Sequence, residues 1–249
     1  MQKLILHIPH SSTDIPIRVG YTASEDDINT EILKLTDWYT DDLFQHPEAI
    51  SIITPFSRIF CDVERFSEDK DEIMSQFGMG MLYEKLDSGK PLRTIDDTLR
   101  KNIYDKFYKV HHGNLSQATE RQIKDHGKCV IVDCHSFSNT PFKRDIDQKM
   151  PRPQINIGTD RYHTSKKLLE RSRQYFRNMD HSCEIDRPYS GSLVPLKYYS
   201  TDKRVESIMI EVNRDLYLEN GTNTKSKDYD STKRMLNGFL EEIWSYYLI

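Results

Sequence analysis

Long apolar runs are absent from this sequence of 249 residues. A helix that crosses a bilayer needs about 20 consecutive apolar residues, and no segment approaches that length. Residues 1–8 are apolar for only a few positions before Pro9, which is too short for a signal peptide. We therefore expect no membrane partner and a cytoplasmic location.

Cysteine is also scarce, with four residues in the whole chain and none of them in a C-x-x-C pair. Four scattered cysteines cannot form the disulfide framework of a small secreted protein. Each is expected to be a free, buried thiol, because free cysteine behaves as a small hydrophobic residue. This composition favours the reducing environment of the cytoplasm.

A strong excess of charge of either sign is lacking as well. The chain has 35 Lys and Arg residues against 39 Asp and Glu residues, which gives a net charge of -4. A nearly balanced chain gives no reason to expect nucleic acid as a partner. The basic segments 166–177 and 197–204 are therefore interpreted as solvated faces rather than as a surface for nucleic acid.

What the sequence does contain is the composition of a water-soluble globular protein, with 37% hydrophobic and 30% charged residues. A chain of this length ordinarily forms one α/β domain, and we expect a single domain over residues 1–249. Two small domains are the alternative that length alone leaves open.

Four short runs rich in apolar and β-branched residues are predicted to be buried strands: residues 3–8, 50–54, 129–134 and 205–212. Four longer stretches have apolar residues at helical spacing: residues 26–44, 94–112, 164–177 and 231–247. Their alternation predicts an α/β fold with a mixed, mostly parallel sheet and helices on both faces. The charged segment 142–154 is predicted to be a long loop or lid.

In such a sheet the ligand crevice lies beyond the carboxyl ends of the strands. The first predicted strand runs into His7 and His10, two histidines three positions apart. Pro9 would stiffen the turn between them, and both rings could present nitrogens to one metal ion. The alternative is a capping or hydrogen-bonding role.

The third predicted strand ends in Asp133 and His135. A histidine that leaves a central strand suits a metal ligand, and Asp133 could orient a nearby imidazole by accepting its other N–H. A buried histidine with satisfied hydrogen bonds is the alternative. Two such motifs after two separate strands favour a shared metal site, and neutral imidazole favours zinc or a similar ion.

A charged segment lies between these motifs, with Arg58, Asp62, Glu64 and Arg65 around an apolar Ile-Phe-Cys core. Arginine presents a planar fork of donors that can hold a carboxylate with two hydrogen bonds. The segment is therefore a candidate anchor for an acidic substrate. A purely structural cluster of salt bridges is the alternative.

The last apolar run contains Glu211, a carboxylate in a strand that should be buried. A lone buried carboxylate is costly unless it is paired or functional. Glu211 is therefore the candidate general base for metal-activated water. An ion pair with Arg214 or another arginine is the alternative.

Tyr189 lies in a turn between Pro188 and Gly191. Its hydroxyl could donate to a developing oxyanion, which makes it a candidate catalytic residue. Proline and glycine in one short segment are also what any turn would contain, so the signal is weak by itself.

Six short motifs follow one another along the chain: HIPHSS, TDWYTDDLF, SRIFCDVER, DCHSF, RPYSGS and IEVNRDLYL. Together they resemble the N-formylglutamate amidohydrolase family over nearly the whole chain, from His7 to about Leu218. That family looks related to the zinc carboxypeptidases and aspartoacylases. The resemblance implies a three-layer α/β/α sandwich, a zinc-bound water and hydrolysis of the amide of an N-acyl amino acid such as N-formylglutamate.

The resemblance also implies roles for individual residues. His10 and His135 fall on the family's histidine motifs and are expected to bind the metal, while Glu211 falls where the superfamily keeps its catalytic glutamate. His7 has the position that the wider superfamily uses for a metal pair, and we include it in the expected ligand set. Rivals for the third ligand remain open: Asp37, Asp62, Glu64 and His163.

On the substrate side, Arg65 matches the arginine of an Asp-x-Asn-Arg motif that grips the substrate carboxylate. Arg58 and Arg214 are expected to help orient that carboxylate. Glu64 and Ser136 are expected to lie in the same substrate pocket.

The chain departs from that motif at one position, where Glu64 stands in place of the usual Asn. Its extra negative charge should weaken the binding of a dianion such as N-formylglutamate. Two alternatives therefore stay open: a family member with impaired catalysis that binds an acidic metabolite, and a zinc carboxypeptidase-like peptidase.

Overall fold

The central sheet is mixed and mostly parallel, as the sequence predicts. The structure is a computed structural model that describes residues 4–248. Within these residues the sheet has six strands: β1 Leu4–Ile8, β2 Ile50–Ile53, β3 Cys129–Phe137, β4 Ile155–Thr159, β5 Cys183–Ile185 and β6 Val205–Asn213. Their order is β2-β1-β3-β6-β4-β5, and β4 runs antiparallel to β6 whereas the other neighbours are parallel.

Six α-helices connect or flank these strands: α1 Glu25–Leu35, α2 Thr40–Leu43, α3 Asp97–Ile103, α4 Lys109–His126, α5 Lys166–Asn178 and α6 Tyr229–Leu248. A π-helical turn at Tyr104–Tyr108 joins α3 to α4, and 3-10 turns occupy Ile73–Phe77 and Arg214–Leu216. The side chains of Ser24 and Ser165 accept hydrogen bonds from the first turns of α1 and α5, which fixes where these helices begin.

The helices cover both faces of the sheet and give three layers. On one face, Val132 and Ile210 belong to a buried cluster that includes residues of α2, α5 and α6. On the other face, Ile5 and Ile131 pack with Leu115 of α4. Because both faces are covered, all nine residues of β3 are buried, which explains its continuous apolar character.

The stretch 26–44, predicted as one helix, is instead two helices with a break between them. Helix α1 ends at Leu35, and α2 starts after Tyr39, whose φ of 63° is left-handed. The amide of Asp37 donates to the carbonyl of His10 rather than to a helical partner. The apolar periodicity was preserved across the break, so the spacing of the residues did not reveal it.

Two central strands extend further than the apolar runs suggest. Strand β3 continues to Phe137 and β6 to Asn213, so His135 and Glu211 lie within strands, near their carboxyl ends. Strands β4 and β5 were not predicted, because they have only five and three residues and carry polar side chains. The segment 142–154 is irregular, as expected for a loop.

No helix among residues 4–248 is long and apolar enough to cross a membrane. All four cysteines are free, and three of them are buried: Cys61, Cys129 and Cys134. The cavity described below lies at the carboxyl ends of β3 and β6, as expected for an open α/β sheet.

Candidate active site

Alternation along three adjacent strands places polar side chains on one face of the sheet. In the register of the sheet, His7 of β1 lies opposite Asp133 of β3, and His135 of β3 lies opposite Glu211 of β6. Their apolar neighbours in sequence, such as Cys134 and Val212, point to the opposite face. The sheet therefore carries these four polar groups side by side although they are distant in sequence.

One group of side chains, which we call the first cluster, consists of His10, Asp37 and His135. His10 Nδ1 lies 3.6 Å from Asp37 Oδ2, and His135 Nδ1 lies 3.0 Å from the same oxygen. The ring centroids of His10 and His135 are 5.1 Å apart. All three side chains are buried, and their facing atoms lie close enough together to hold a metal ion.

Two residues of the first cluster form hydrogen bonds through the atoms that face away from the cluster. His10 Nε2 lies 2.9 Å from Asp62 Oδ1, so the ring donates to that carboxylate, and in the neutral ring the lone pair is on Nδ1. Arg214 Nη2 donates to Asp37 Oδ1 over 3.0 Å, which leaves Oδ2 for the cluster. His10 Nδ1 is buried and has no hydrogen-bond partner in the described structure.

His135 is oriented in the same way. Its Nε2 lies 3.2 Å from Asp133 Oδ1 and 3.2 Å from Glu64 Oε1, and its Nδ1 faces the first cluster. Burial alone would lower the pKa of His135, but Glu64 and Asp133 raise that pKa well above its usual range. The surroundings of this ring therefore stabilise a positive charge, which a ring proton supplies here, and a cation bound at Nδ1 would take the place of the Nδ1 proton.

Asp62 is the centre of the charged segment that the sequence singled out. Its Oδ2 accepts hydrogen bonds from Arg58 Nη2 at 3.0 Å and from the Tyr83 hydroxyl at 2.7 Å. Burial would raise the pKa of Asp62, but Arg58, His10 and Arg65 hold it well below its usual range. Asp62 is thus an ionised carboxylate that links the first cluster to two arginines.

A second cluster, consisting of His7, Glu64 and Asp133, lies on the other side of His135. His7 Nδ1 is 2.7 Å from Asp133 Oδ1 and 3.8 Å from Glu64 Oε1. His7 Nε2 is 2.8 Å from Nε2 of His111 in α4. These three side chains also lie close enough together to hold a metal ion.

Glu211 lies beside the first cluster without a hydrogen-bond partner for its Oε2 among the described residues. Burial raises the pKa of its carboxyl to about 8; Asp37 and Glu64 add to this rise, and His135 opposes it. The alternative role that the sequence left open, an ion pair with Arg214, does not occur, because Arg214 pairs with Asp37. The Glu211 carboxyl can therefore hold a proton at neutral pH.

A cavity of about 400 Å³ opens in front of these groups. Its wall contains carboxylates of both clusters together with Glu211. Four arginines also line it: Arg58, Arg65, Arg144 and Arg214. Apolar side chains form much of the remaining wall: Leu35, Ile73, Met74, Met79, Phe137, Phe142, Ile146, Pro188 and Met209. The cavity can therefore accept a small anion that also has an apolar part.

The remaining predicted site residues lie near the cavity, with one exception. Ser136 Oγ accepts a hydrogen bond of 3.2 Å from Arg214 Nε at the cavity wall. Tyr189 also lines the cavity, but its hydroxyl lies 3.2 Å from Asp145 Oδ2. His163 lies outside the site, with Nδ1 bonded to the carbonyl of Val205.

Two neighbours of the second cluster were not predicted. His111 lies within a helix, and Thr54 follows the edge strand β2, so neither occupies a position that points to chemistry in the sequence. Their Nδ1 and hydroxyl oxygen lie 3.2 Å apart. Only the packing of α4 on the sheet brings His111 under His7, and no sequence signal could have found that contact.

The comparisons with known proteins agree with this architecture. The sequence matches the family described as N-formylglutamate amidohydrolase over residues 2–218. A crystal structure of N-formylglutamate amidohydrolase from Ralstonia eutropha JMP134 aligns with a TM-score of 0.86 and 20% identity, covering 99% of this chain and 94% of that one. A gene product from Agrobacterium tumefaciens aligns with a TM-score of 0.70 and 18% identity, covering 99% of this chain and 90% of the other. No curated protein matches the sequence.

The two solved structures establish the fold, and the family match establishes the relationship. That match covers most of the 249 residues and includes both clusters, Glu211 and the arginines of the cavity. Amidohydrolases of this kind act on small molecules. The chain therefore belongs to the N-formylglutamate amidohydrolase family and is an amidohydrolase.

Proposed function

We propose that this protein hydrolyses the amide bond of an N-acyl amino acid, with N-formylglutamate as the reference substrate, and that it depends on a divalent metal ion. The observation that carries the proposal is the convergence of His10 Nδ1, Asp37 Oδ2 and His135 Nδ1 in a buried site. The other polar atom of each side chain is already held by a neighbouring residue, so these three atoms face one another, with Glu64 Oε2 3.8 Å from His10 Nδ1. The relationship to zinc carboxypeptidases and aspartoacylases is part of the same proposal.

These three residues are the proposed ligand set, with Asp37 as the third ligand. Two neutral imidazoles and one carboxylate are donors that zinc accepts, and catalytic zinc sites commonly have three protein ligands. The buried, unpartnered Nδ1 of His10 supports this fit. A zinc ion held there would act as a Lewis acid toward the amide carbonyl and toward water.

Glu211 is the proposed proton shuttle. Its carboxyl lies at the cavity wall, and its Oε2 has no competing partner among the described residues. Without a cation, the pKa of this carboxyl is raised to about 8. A cation held by the first cluster would favour the ionised form, which can accept a proton from the attacking water and return it to the leaving nitrogen. The ionised Asp62 cannot share this role, because its Oδ2 already accepts hydrogen bonds from Arg58 and Tyr83.

The arginines of the cavity are the proposed carboxylate anchors. Arg65 lines the cavity, and its buried Nε lies 3.6 Å from Asp62 without a hydrogen bond. Arg58 and Arg214 are held in place by Asp62 and Asp37, so their remaining N–H groups have fixed directions. Ser136 supports Arg214 from the side.

Tyr189 is proposed to position the loop rather than to donate to the oxyanion. Its hydroxyl lies 3.2 Å from Asp145 and 3.5 Å from Arg152, both in the segment 142–154. A hydroxyl that donates to Asp145 is not free to donate to the substrate. This assignment replaces the catalytic role that the turn motif suggested.

A second candidate function is binding without turnover, and Glu64 is the observation that favours it. This carboxylate lines the cavity and lies 3.8 Å from His10 Nδ1, where it adds negative charge next to the first cluster. A dianionic substrate would be repelled by it. In that case a singly charged acidic metabolite, which Glu64 repels less, would bind to the arginines and raise the melting temperature without being consumed.

The test uses the metal-free protein reloaded with zinc. We expect hydrolysis of N-formyl and N-acetyl amino acids to return with zinc, to be lost in His10→Asn and Glu211→Gln, and to persist in the control His46→Asn. His46 is a histidine that contacts a carboxylate, Glu241, outside the site. Zinc binding together with substrate-induced stabilisation but no hydrolysis of any N-acyl amino acid would favour the binding protein instead.

A further inference from the structure

We propose a second divalent-cation site, formed by His7 Nδ1, Glu64 Oε1 and Asp133 Oδ1 of the second cluster. It lies next to the proposed catalytic cation site, and the ring of His135 lies between the two sites. The proposal rests on the proposed function only because the two sites share His135 as a neighbour. The ligands of the second site are different side chains.

The spacing of the three donor atoms suits a cation. His7 Nδ1 lies 2.7 Å from Asp133 Oδ1 and 3.8 Å from Glu64 Oε1. Ligand atoms of a tetrahedral zinc site, at about 2.0–2.1 Å from the metal, are about 3.3 Å from one another, and the observed distances bracket that value. His7 and Asp133 are fully buried, whereas the side chain of Glu64 is 17% exposed and gives the site an opening to the cavity.

Glu64 connects the two clusters through its two oxygens. Its Oε1 lies 3.8 Å from His7 Nδ1 of the second cluster and 3.2 Å from His135 Nε2 of the first cluster. Its Oε2 lies 3.8 Å from His10 Nδ1 of the first cluster. Among residues 4–248, its ion pairs are with these three histidines, and it has none with lysine or arginine. A carboxylate in this position can bridge two cations.

The hydrogen bonds behind His7 allow its Nδ1 to bind a cation without leaving a buried group unsatisfied. In the described arrangement His7 Nδ1 donates to Asp133, so a neutral His7 accepts from His111 at Nε2. In the filled site, His7 Nε2 instead donates to His111, whose Nδ1 then donates to the hydroxyl of Thr54. A hydroxyl can be donor or acceptor, so both arrangements are complete and contain the same number of protons.

The competing explanation is a hydrogen-bond network that only orients His135. Two substitutions separate it from a cation site. In His7→Asn the side-chain amide can still donate to Asp133 but cannot bind zinc as imidazole does. In Glu64→Gln the shape of the side chain is kept and its charge is removed. A network that only positions His135 would keep its metal content in both variants.

The experiment measures zinc per chain after the full-length protein is stripped of metal, reloaded with excess zinc and desalted. We expect two zinc ions in the wild type and in the control His46→Asn, and one in His7→Asn and Glu64→Gln. His10→Asn should also hold one, with hydrolysis lost. Melting temperatures measured alongside identify any variant that fails to fold.

One zinc ion in the wild type, kept in His7→Asn and lost in His10→Asn, would overturn the second site and leave the proposed function intact. Loss of zinc in His7→Asn with zinc and turnover unaffected in His10→Asn would instead overturn the catalytic assignment. Crystals of the zinc-loaded wild type should show two anomalous peaks at the zinc edge. A single peak next to His10 would contradict the inference independently of any variant.

Discussion

Glu211 is the proposed proton shuttle and a buried carboxyl, and one substitution tests both properties. Glu211→Gln should lower kcat by about 10²–10⁴-fold, the usual contribution of a proton shuttle, while zinc content is unchanged. Steady-state kinetics and metal analysis test this. A loss of less than tenfold would exclude Glu211 from proton transfer.

The same substitution should stabilise the metal-free protein at high pH. Burial raises the pKa of Glu211 from 4.5 to about 8, so the folded state keeps a proton that the unfolded state loses. The contribution of Glu211 to stability is therefore present below pH 4.5 and falls as pH rises toward 8. The melting temperature of Glu211→Gln minus that of wild type should increase over this window. An unchanged difference would contradict the raised pKa.

Asp62 offers a second prediction at the scale of one residue. It orients His10 by accepting from Nε2, and in Asp62→Asn the amide can no longer act as an anionic partner. Loss of such a partner typically lowers metal affinity by about 10–100-fold. Competition with a chromophoric chelator measures this change. The control Asp42→Asn removes a carboxylate that pairs with Lys233 outside the site and should leave zinc affinity unaltered.

Tyr189→Phe distinguishes a positioning residue from an oxyanion donor. Removal of an oxyanion donor typically lowers kcat by about 10²–10³-fold. Because the hydroxyl lies against Asp145, we expect kcat to stay within roughly tenfold of the wild type, with a larger change in KM. A fall in kcat of several hundredfold at unchanged KM would instead support Tyr189 as an oxyanion donor.

At the scale of single residues, the sequence could predict a site residue when a polar side chain interrupted or followed an apolar strand pattern. His10, His135 and Glu211 interrupt or follow apolar runs, and all three line or adjoin the site. Asp37 was only one of several rivals, because its position depends on a helix break. His111 was not predicted at all, since a histidine in a helix carries no signal of what the helix packs against.

At the scale of elements, the segment 142–154 closes one side of the cavity and depends on Arg152. Arg152 donates to Asp145 Oδ2 at 2.7 Å and to the carbonyls of Ser138 and Asp147 at 2.9 Å and 3.0 Å. Arg152→Met should release the segment, raise KM more than it lowers kcat, and speed cleavage there by a protease. Zinc content should not change. Unaltered proteolysis would show that other contacts hold the segment.

The elements that could be predicted are those whose pattern is long and uniform. Strands β1, β2, β3 and β6 follow from runs of Ile, Leu and Val, and α5 and α6 from helical periodicity. The break after α1 could not be predicted, because apolar residues keep helical spacing through it. Strands β4 and β5 are too short to form a pattern, and neighbouring strands and helices fix them instead.

At the scale of the whole molecule, metal binding and folding should be linked. The two clusters gather carboxylates and imidazoles from distant parts of the chain, and the unfolded chain cannot hold them together. A ligand at a hundred times its Kd stabilises by about 2.7 kcal/mol, which is roughly 5–10 °C in a protein of this size. Chelation should lower the melting temperature by that amount, and zinc should restore it. An unchanged melting temperature would argue against both cation sites.

The mixed sheet with helices on both faces could be predicted from the alternation of elements, whereas the strand order could not. Nothing in the sequence states that β6 lies between β3 and β4. Because a single sheet joins residues from Leu4 to Asn213, we propose that the chain works as one domain.

That strand order has a consequence for synthesis on the ribosome. β6 follows β4 and β5 in the chain, yet it occupies the gap between β3 and β4. A nascent chain that has emerged only as far as β5 carries both histidine clusters but has a split sheet and no Glu211. Hydrolytic competence should therefore appear abruptly, once translation has delivered β6 and it has inserted between two strands that were made before it.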